Sequence, residues 1–213
     1  MNADVEGAQD VLGEDFYRAR RKDLEGRVKK KRLRHIDGVA DTCSKLARIY
    51  GTDIPKARLA GLLHDWDKGY DDEGIRSRVS ELGMEGEIDP FVLENMPQVL
   101  HGPTAAKALQ AEYPSIPEDV IVAIRDHTTS SADADDLSKI LYIADAIEPS
   151  RRFEDVERLR DMIGREDLSE LYFQVYRFWT LALLSRGKVL HPDTMAIWNS
   201  LAMKRRDKDK EDR

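Results

Sequence analysis

Three observations on the sequence predict an all-α fold. Apolar residues recur at three- and four-residue steps through most of its length, which is the period of helices that bury one face. Glycines, prolines and capping acids punctuate these stripes as helix stops and starts. No stretch reads as a strand, and there is neither an internal repeat nor a low-complexity segment.

The elements follow in chain order. Residues 1 to about 15 are small and acidic and read as a frayed lead. Phe16 to Arg34 is strongly basic, with Arg20-Arg21-Lys22 and Lys29-Lys30-Lys31-Arg32, and reads as a solvated helix in preference to a phosphate-binding arm. From His35 to Tyr50, the stripe Ile36, Val39, Ala40, Cys43, Leu46, Ala47 predicts an amphipathic helix stopped by Gly51. Asp53 is the predicted cap of the next helix, with Pro55 in its first turn. Small residues Ala57, Ala60 and Gly61 would let a neighbouring helix come close. That helix carries His64, and Gly69 breaks its pattern.

Ile75, Val79 and Leu82 predict a short helix ending at Gly83, and Glu85 to Pro97 a loop with a helical piece. Pro103 suits the first turn of a helix entered at His101. Ser115-Ile116-Pro117-Glu118 has the form of a capping box, and the helix it would open carries Val120, Ala123, Ile124 and His127. Asp136 is the predicted cap of a helix with Leu137, Ile140, Leu141 and Ala144 inward and Asp145 at the stripe's edge. The remainder reads as scaffold: a short helix around Val156 and Leu159, a long one from Leu168 to Gly187, and a last one through Met195, Trp198 and Leu201. The charged tail from Lys204 is predicted to be disordered. The predicted organisation is thus an N-terminal extension over 1–27, one helical domain over 28–202, and a tail over 203–213.

Composition sets outer bounds. The 213 residues are 41% hydrophobic and 35% charged, enough for one core with wetted faces. A net charge of −7 disfavours generic nucleic-acid binding. The single cysteine, Cys43, allows no internal disulfide and fits a reducing compartment. No apolar run reaches the roughly 18–20 residues of a membrane span, and the N-terminus lacks a signal-peptide pattern. A cytoplasmic protein with no membrane partner is the expectation.

The chemistry lies in the histidines. Of five, four form an ordered series with two aspartates: His35, His64-Asp65, His101, His127 and Asp145. Most sit in or beside an apolar stripe, where an unpartnered polar group is costly. His64 and Lys68, four apart, would share a helix face. Imidazole with carboxylate suits Mn, Fe, Co or Zn. Three histidines and two aspartates could hold one metal, and four with two aspartates could hold two, an arrangement that suits phosphoester and phosphoanhydride hydrolysis. Lys68 and an arginine could steady phosphoryl oxygens. Glu148 would order an arginine or simply precede the proline turn. Asp67 would be a supporting acid or a surface residue, Trp66 core, and His191 a loop residue. Tyr172, Phe173, Tyr176, Phe178 and Trp179 would be core or a surface for a homodimer.

The series His35, His64-Asp65, Asp145 resembles the signature of the HD-domain metal-dependent phosphohydrolases. The strings Arg34-His35-Ile36-Asp37-Gly38-Val39, Ala60 to Lys68, His101-Gly102-Pro103, His127-Thr128-Thr129 and Tyr142 to Arg151 are similar to those of its YqeK-like members. The resemblance covers roughly residues 28–202 and implies an HD-domain helical bundle. It implies symmetrical hydrolysis of diadenosine tetraphosphate, a small-molecule partner, to two ADP by a metal-bound hydroxide. It also implies two divalent ions, iron by family habit. His35, His64, Asp65 and Asp145 would ligate one ion, and His101 and His127 the other, with Asp65 bridging. His64, Asp65 and Lys68 would form the catalytic group, and Lys68, Thr128, Thr129 and Arg151 would line the substrate. Ser130 stands where the family has glycine, and Ala132 to Asp136 is more acidic than a polyphosphate neighbour would suggest. These departures leave open another nucleotide or phosphate ester as substrate; a further alternative is a non-catalytic nucleotide-binding regulator with the basic N-terminal helix as its partner surface.

Overall fold

The computed structural model describes residues 10–211. The expected lead over residues 1–9 lies outside them. Among the described residues there are eleven α-helices and a 3-10 turn, and no strand beyond one isolated bridge between Ile163 and Glu166. In order they are α1 (Glu14–Arg27), α2 (Lys30–Tyr50), α3 (Ile54–Leu63), α4 (Asp72–Glu81), α5 (Pro90–Asn95), the 3-10 helix Pro97–Leu100, α6 (His101–Glu112), α7 (Glu118–Asp126), α8 (Asp136–Ile147), α9 (Val156–Asp161), α10 (Leu168–Ser185) and α11 (Thr194–Glu211). Among the described residues, no helix is long and apolar enough to cross a membrane.

The centre is α2 packed on α3, with α8 against both and α7 against α3 and α8. The predicted stripe of α2 is buried from Ile36 to Ala47, and Gly51 ends the helix in a left-handed cap. Asp53 caps α3 by accepting from the Lys56 amide at 2.9 Å. Gly61 explains how closely α2 and α3 approach. A Cβ there would stand 2.7 Å from Ala40 Cα, closer than packed atoms come, and a tight 3.1 Å from Cys43 Sγ. Cys43 is fully buried, and that burial pushes its thiol pKa well up, which keeps it in the unreactive thiol form. Around this centre, α6 lies on α7, and α10 lies on α8, with α9 and α11 outside it. Ile75, Val79, Met84, Val92, Met96 and Leu100 form a second small core beneath α4, α5 and the 3-10 turn.

Four local expectations change. Ser115 does not cap α7. The helix begins at Glu118 behind Pro117, with no side-chain cap, because proline's fixed φ starts the turn by itself. Asp135, not Asp136, caps α8, accepting from the Ser138 amide at 2.7 Å. The basic N-terminal stretch is two helices broken at Val28 and Lys29. The first of these buries Phe16 and Leu24 in the main core, so its basic face is solvated but its other face is not. Finally, the charged tail continues α11 to Glu211 where disorder was expected. Lys204 bonds the Ala132 carbonyl at 2.7 Å, Arg205 pairs with Glu170 at 2.7 Å, and Lys208 contacts Asp167. These cross-helix pairs hold a segment whose composition alone gave no reason to fold.

Candidate metal centre

The six residues of the histidine–aspartate series converge from five segments. His35 comes from the second turn of α2, and His64 caps the C-terminus of α3. Asp65 follows His64, His101 opens α6, His127 caps α7, and Asp145 lies near the end of α8. The four histidines and Asp65 are buried, and Asp145 is partly open to a cleft.

The His-Asp pair is not on a helix as its spacing suggested. α3 stops at Leu63, and the chain then runs through tight turns, with Trp66 N bonded to Leu63 O and Lys68 N to Asp65 O, both at 3.0 Å. Lys68 nevertheless reaches the site, its Nζ 3.3 Å from His101 Nδ1.

The second ring nitrogens decide the tautomers. His35 Nδ1 lies 3.0 Å from Glu148 Oε1, and His64 Nδ1 lies 2.8 Å from the Gly61 carbonyl. His101 Nδ1 is 2.7 Å from the Gln98 carbonyl and His127 Nδ1 2.7 Å from that of Ile124. Carbonyl and carboxylate oxygens only accept, so all four Nδ1 atoms must donate. Each Nε2 then presents a lone pair to the centre, which is the arrangement of metal-ligating histidines.

Those lone pairs meet one another and the carboxylates. His101 Nε2 stands 3.0 Å from His127 Nε2 and 3.1 Å from Asp65 Oδ1. Asp65 Oδ2 stands 3.3 Å from His64 Nε2 and 3.8 Å from that of His35. His35 Nε2 is 3.0 Å from Asp145 Oδ1. Despite this crowding, the Nε2 atoms of His35 and His64 are buried without a hydrogen-bond partner. Only a proton or a cation can satisfy lone pairs arranged in this way. Two ligand groups meet the distances for a metal, His35 with His64 and Asp145, and His64 with Asp65 and His127. The residues present therefore fit divalent ions, and Asp65 turns one oxygen to each half of the site.

At His64 burial opposes a charge, but the Asp65 and Asp145 carboxylates outweigh it and raise that imidazole's pKa, so a proton competes with a metal ion for its lone pair. Burial raises the cost of ionising Asp65, but His64 and His101 outweigh it and hold the carboxyl well below its ordinary value. Asp145 is likewise held down, against its own burial, by His35, His64 and Arg151. Burial and then the neighbouring His101 push His127 down to about 3, so it is neutral and ready to ligate. Burial lowers the Lys68 ammonium.

A cleft of about 330 Å³ opens on the centre and is lined by Arg32, Lys68 and Arg151 among others. Arg32 pairs with Asp65 Oδ2 at 3.0 Å, and Arg151 with Asp145 Oδ1 at 2.6 Å. Thr128 lines the cleft and bonds the Val99 carbonyl at 2.9 Å, whereas Thr129 lies in an adjoining compartment.

Sequence reasoning passed over Arg32, although it stands three residues before His35 and so on the same helix face. Glu148, expected to order an arginine or simply precede the proline turn, lies 4.0 Å from Arg151 Nε, but its closer partner is His35. It backs the His35 ring, with Gly38 leaving it room, since a Cβ there would stand 2.7 Å from Glu148 Oε2. Asp67 is fully buried between Arg27 and Arg78, and Trp66 is core under the Arg27 guanidinium, 4.1 Å from its ring centre.

A model of the HD domain family matches residues 32–150, which span α2 to the end of α8 and contain all six residues. The chain belongs to the HD-domain family. It is 34% identical over 175 residues to the symmetrical bis(5'-nucleosyl)-tetraphosphatase of Halalkalibacterium halodurans, covering 82% of this chain and 91% of that one. It is 33% identical over 174 residues to the enzyme of the same description from Staphylococcus aureus, covering 81% and 88% respectively. Among solved structures it resembles a predicted HD superfamily hydrolase involved in NAD metabolism from Clostridium acetobutylicum. That likeness has a TM-score of 0.81 at 34% identity over 88% of this chain and 97% of the other.

Proposed function

We propose that this HD-domain protein hydrolyses diadenosine tetraphosphate symmetrically, giving two ADP. The observation that carries the reading is the convergence of four inward-facing Nε2 lone pairs and two carboxylates beneath a cleft rimmed by three cations. The near full-length similarity to symmetrical tetraphosphatases supports the choice of substrate.

His35, His64, Asp65 and Asp145 would hold one divalent ion and His101 with His127 a second, Asp65 spanning both. Such a pair supplies charge neutralisation at the phosphoryl group and an activated water; iron is the family habit, and the donor set also suits Mn, Co or Zn. The protein's own groups do the rest. Lys68 brings its Nζ to 3.3 Å from His101, positioned for a non-bridging oxygen of the attacked phosphate. Arg32 and Arg151, on opposite aspartates, are placed to receive the remaining phosphates as planar, multidentate donors. Thr128 is held by its bond to the Val99 carbonyl and faces the substrate with a fixed methyl and oxygen.

Product analysis tests the reading. Metal-loaded protein given diadenosine tetraphosphate should release ADP as the sole nucleotide product. ATP with AMP would refute symmetric cleavage.

A further inference from the structure

The cleft over the six residues does not end at Thr128. It continues into a second compartment of about 560 Å³ between the 3-10 turn and α10. The two share Gln98, Val99, Thr128, Tyr142, Trp179 and Leu183 as a common wall. Their chemistry differs sharply. All the carboxylates and the cations Arg32, Lys68 and Arg151 line the cleft. The compartment has no carboxylate among its lining residues; it is walled by Tyr142, Tyr176 and Trp179, with the hydroxyls of Thr128, Thr129 and Thr180 between them. Its ionised side chains, Arg186 and Lys188, are exposed.

Trp179 is the feature that selects an occupant. It is only half-buried, at the junction of the two spaces. Phe153 and Phe178 pack on it with ring centres 5.4 Å away in each case, so the indole is braced without being enclosed. A braced, part-open aromatic beside hydroxyls is suited to a flat heteroaromatic ring and its sugar. Of the aromatics expected to be core or a dimer surface, Tyr172, Phe173 and Tyr176 are buried, and Trp179 packs against that core with part of its surface open.

We infer that this compartment takes the base and ribose of the substrate half whose phosphates lie in the cleft, with Trp179 as the stacking residue that selects a nucleoside polyphosphate over a bare one. Naming a nucleoside as the occupant rests on the proposed tetraphosphatase reading. The compartment runs on from the phosphate-binding side, so a chain of phosphates over the centre would deliver its ribose at the Thr128–Tyr142 wall.

The test is calorimetry on the full chain loaded with manganese, with ADP and inorganic pyrophosphate as separate probes. Trp179→Ala should weaken ADP about tenfold, the scale of one base stack, and leave pyrophosphate within about twofold. Trp179→Phe should restore ADP to within about threefold. Unchanged ADP affinity in Trp179→Ala would overturn the inference, and so would an equal loss for both probes, which would mark a structural role. The assay reads binding alone. Wild-type protein that shows the expected pattern but releases ATP and AMP from diadenosine tetraphosphate would refute symmetric cleavage while supporting the compartment.

Discussion

Glu148 shows how a single residue can tune the centre without touching it. Its carboxylate accepts from His35 Nδ1 at 3.0 Å and is itself held by the Ser150 amide at 2.7 Å. It fixes the ring so that Nε2 faces inward. Glu148→Gln keeps an acceptor but removes the charge that makes the imidazole more basic. Metal affinity should fall by about tenfold or more, read by competition with a chelator, while the melting temperature of the metal-free protein changes little. Ser130 poses a backbone question at the same scale. It sits at φ 71°, the left-handed region that the family glycine adopts freely, and its hydroxyl contacts Tyr172 OH. Ser130→Gly relieves about 1 kcal/mol of backbone strain and loses a hydrogen bond of about the same worth, so the melting temperature should barely move. Ser130→Val keeps the strain, loses the bond and adds a branched side chain at positive φ. It should cost about 2 kcal/mol or more by denaturant unfolding.

At the scale of elements, the site depends on how closely α2 and α3 pack. Gly61→Ala would set a methyl against Ala40 Cα, a backbone atom that can yield only if the helices part. That change should cost about 1–3 kcal/mol, and it should also reduce metal uptake, because His35 lies on α2 and His64 caps the end of α3. A melting curve and metal content on one sample check both; loss of stability with full uptake would separate packing from the site. The helices themselves were legible in the sequence, since the stripes of α2, α8 and α10 have the helical period. Their ends were less so. Ser115 and Asp136 matched capping patterns that Pro117 and Asp135 satisfied instead, because a pattern states which residues could cap and not which backbone turns there. The end of α11 was missed because its hydrogen-bond partners, Ala132, Asp133, Asp167 and Glu170, lie far away in the sequence.

At the scale of the molecule, an acidic chain of net charge −7 concentrates Arg32, Lys68 and Arg151 over one cleft. A highly anionic substrate is then drawn to one place on a surface that otherwise repels it. The value of kcat/KM for diadenosine tetraphosphate should fall as ionic strength rises, with kcat changing less; a rate independent of salt would contradict this role for the cations. The same comparison shows what a sequence can disclose about a site. The six histidines and aspartates were readable from their order and the strings around them. Arg32, Glu148 and Trp179 were not, because each acts through a neighbour, an ion pair or a cavity that exists only once the helices are packed.

The most direct measurement of the central claim is metal content per chain in wild type and in Asp65→Asn, after anaerobic loading with iron or manganese. Asp65 offers one oxygen to each half of the site, and its amide variant keeps the shape while removing the charge. About two ions per chain in wild type, with both lost or greatly weakened in Asp65→Asn, is the predicted result. A wild-type protein that takes up none, or a variant that retains both at full affinity, would contradict a centre bridged by Asp65.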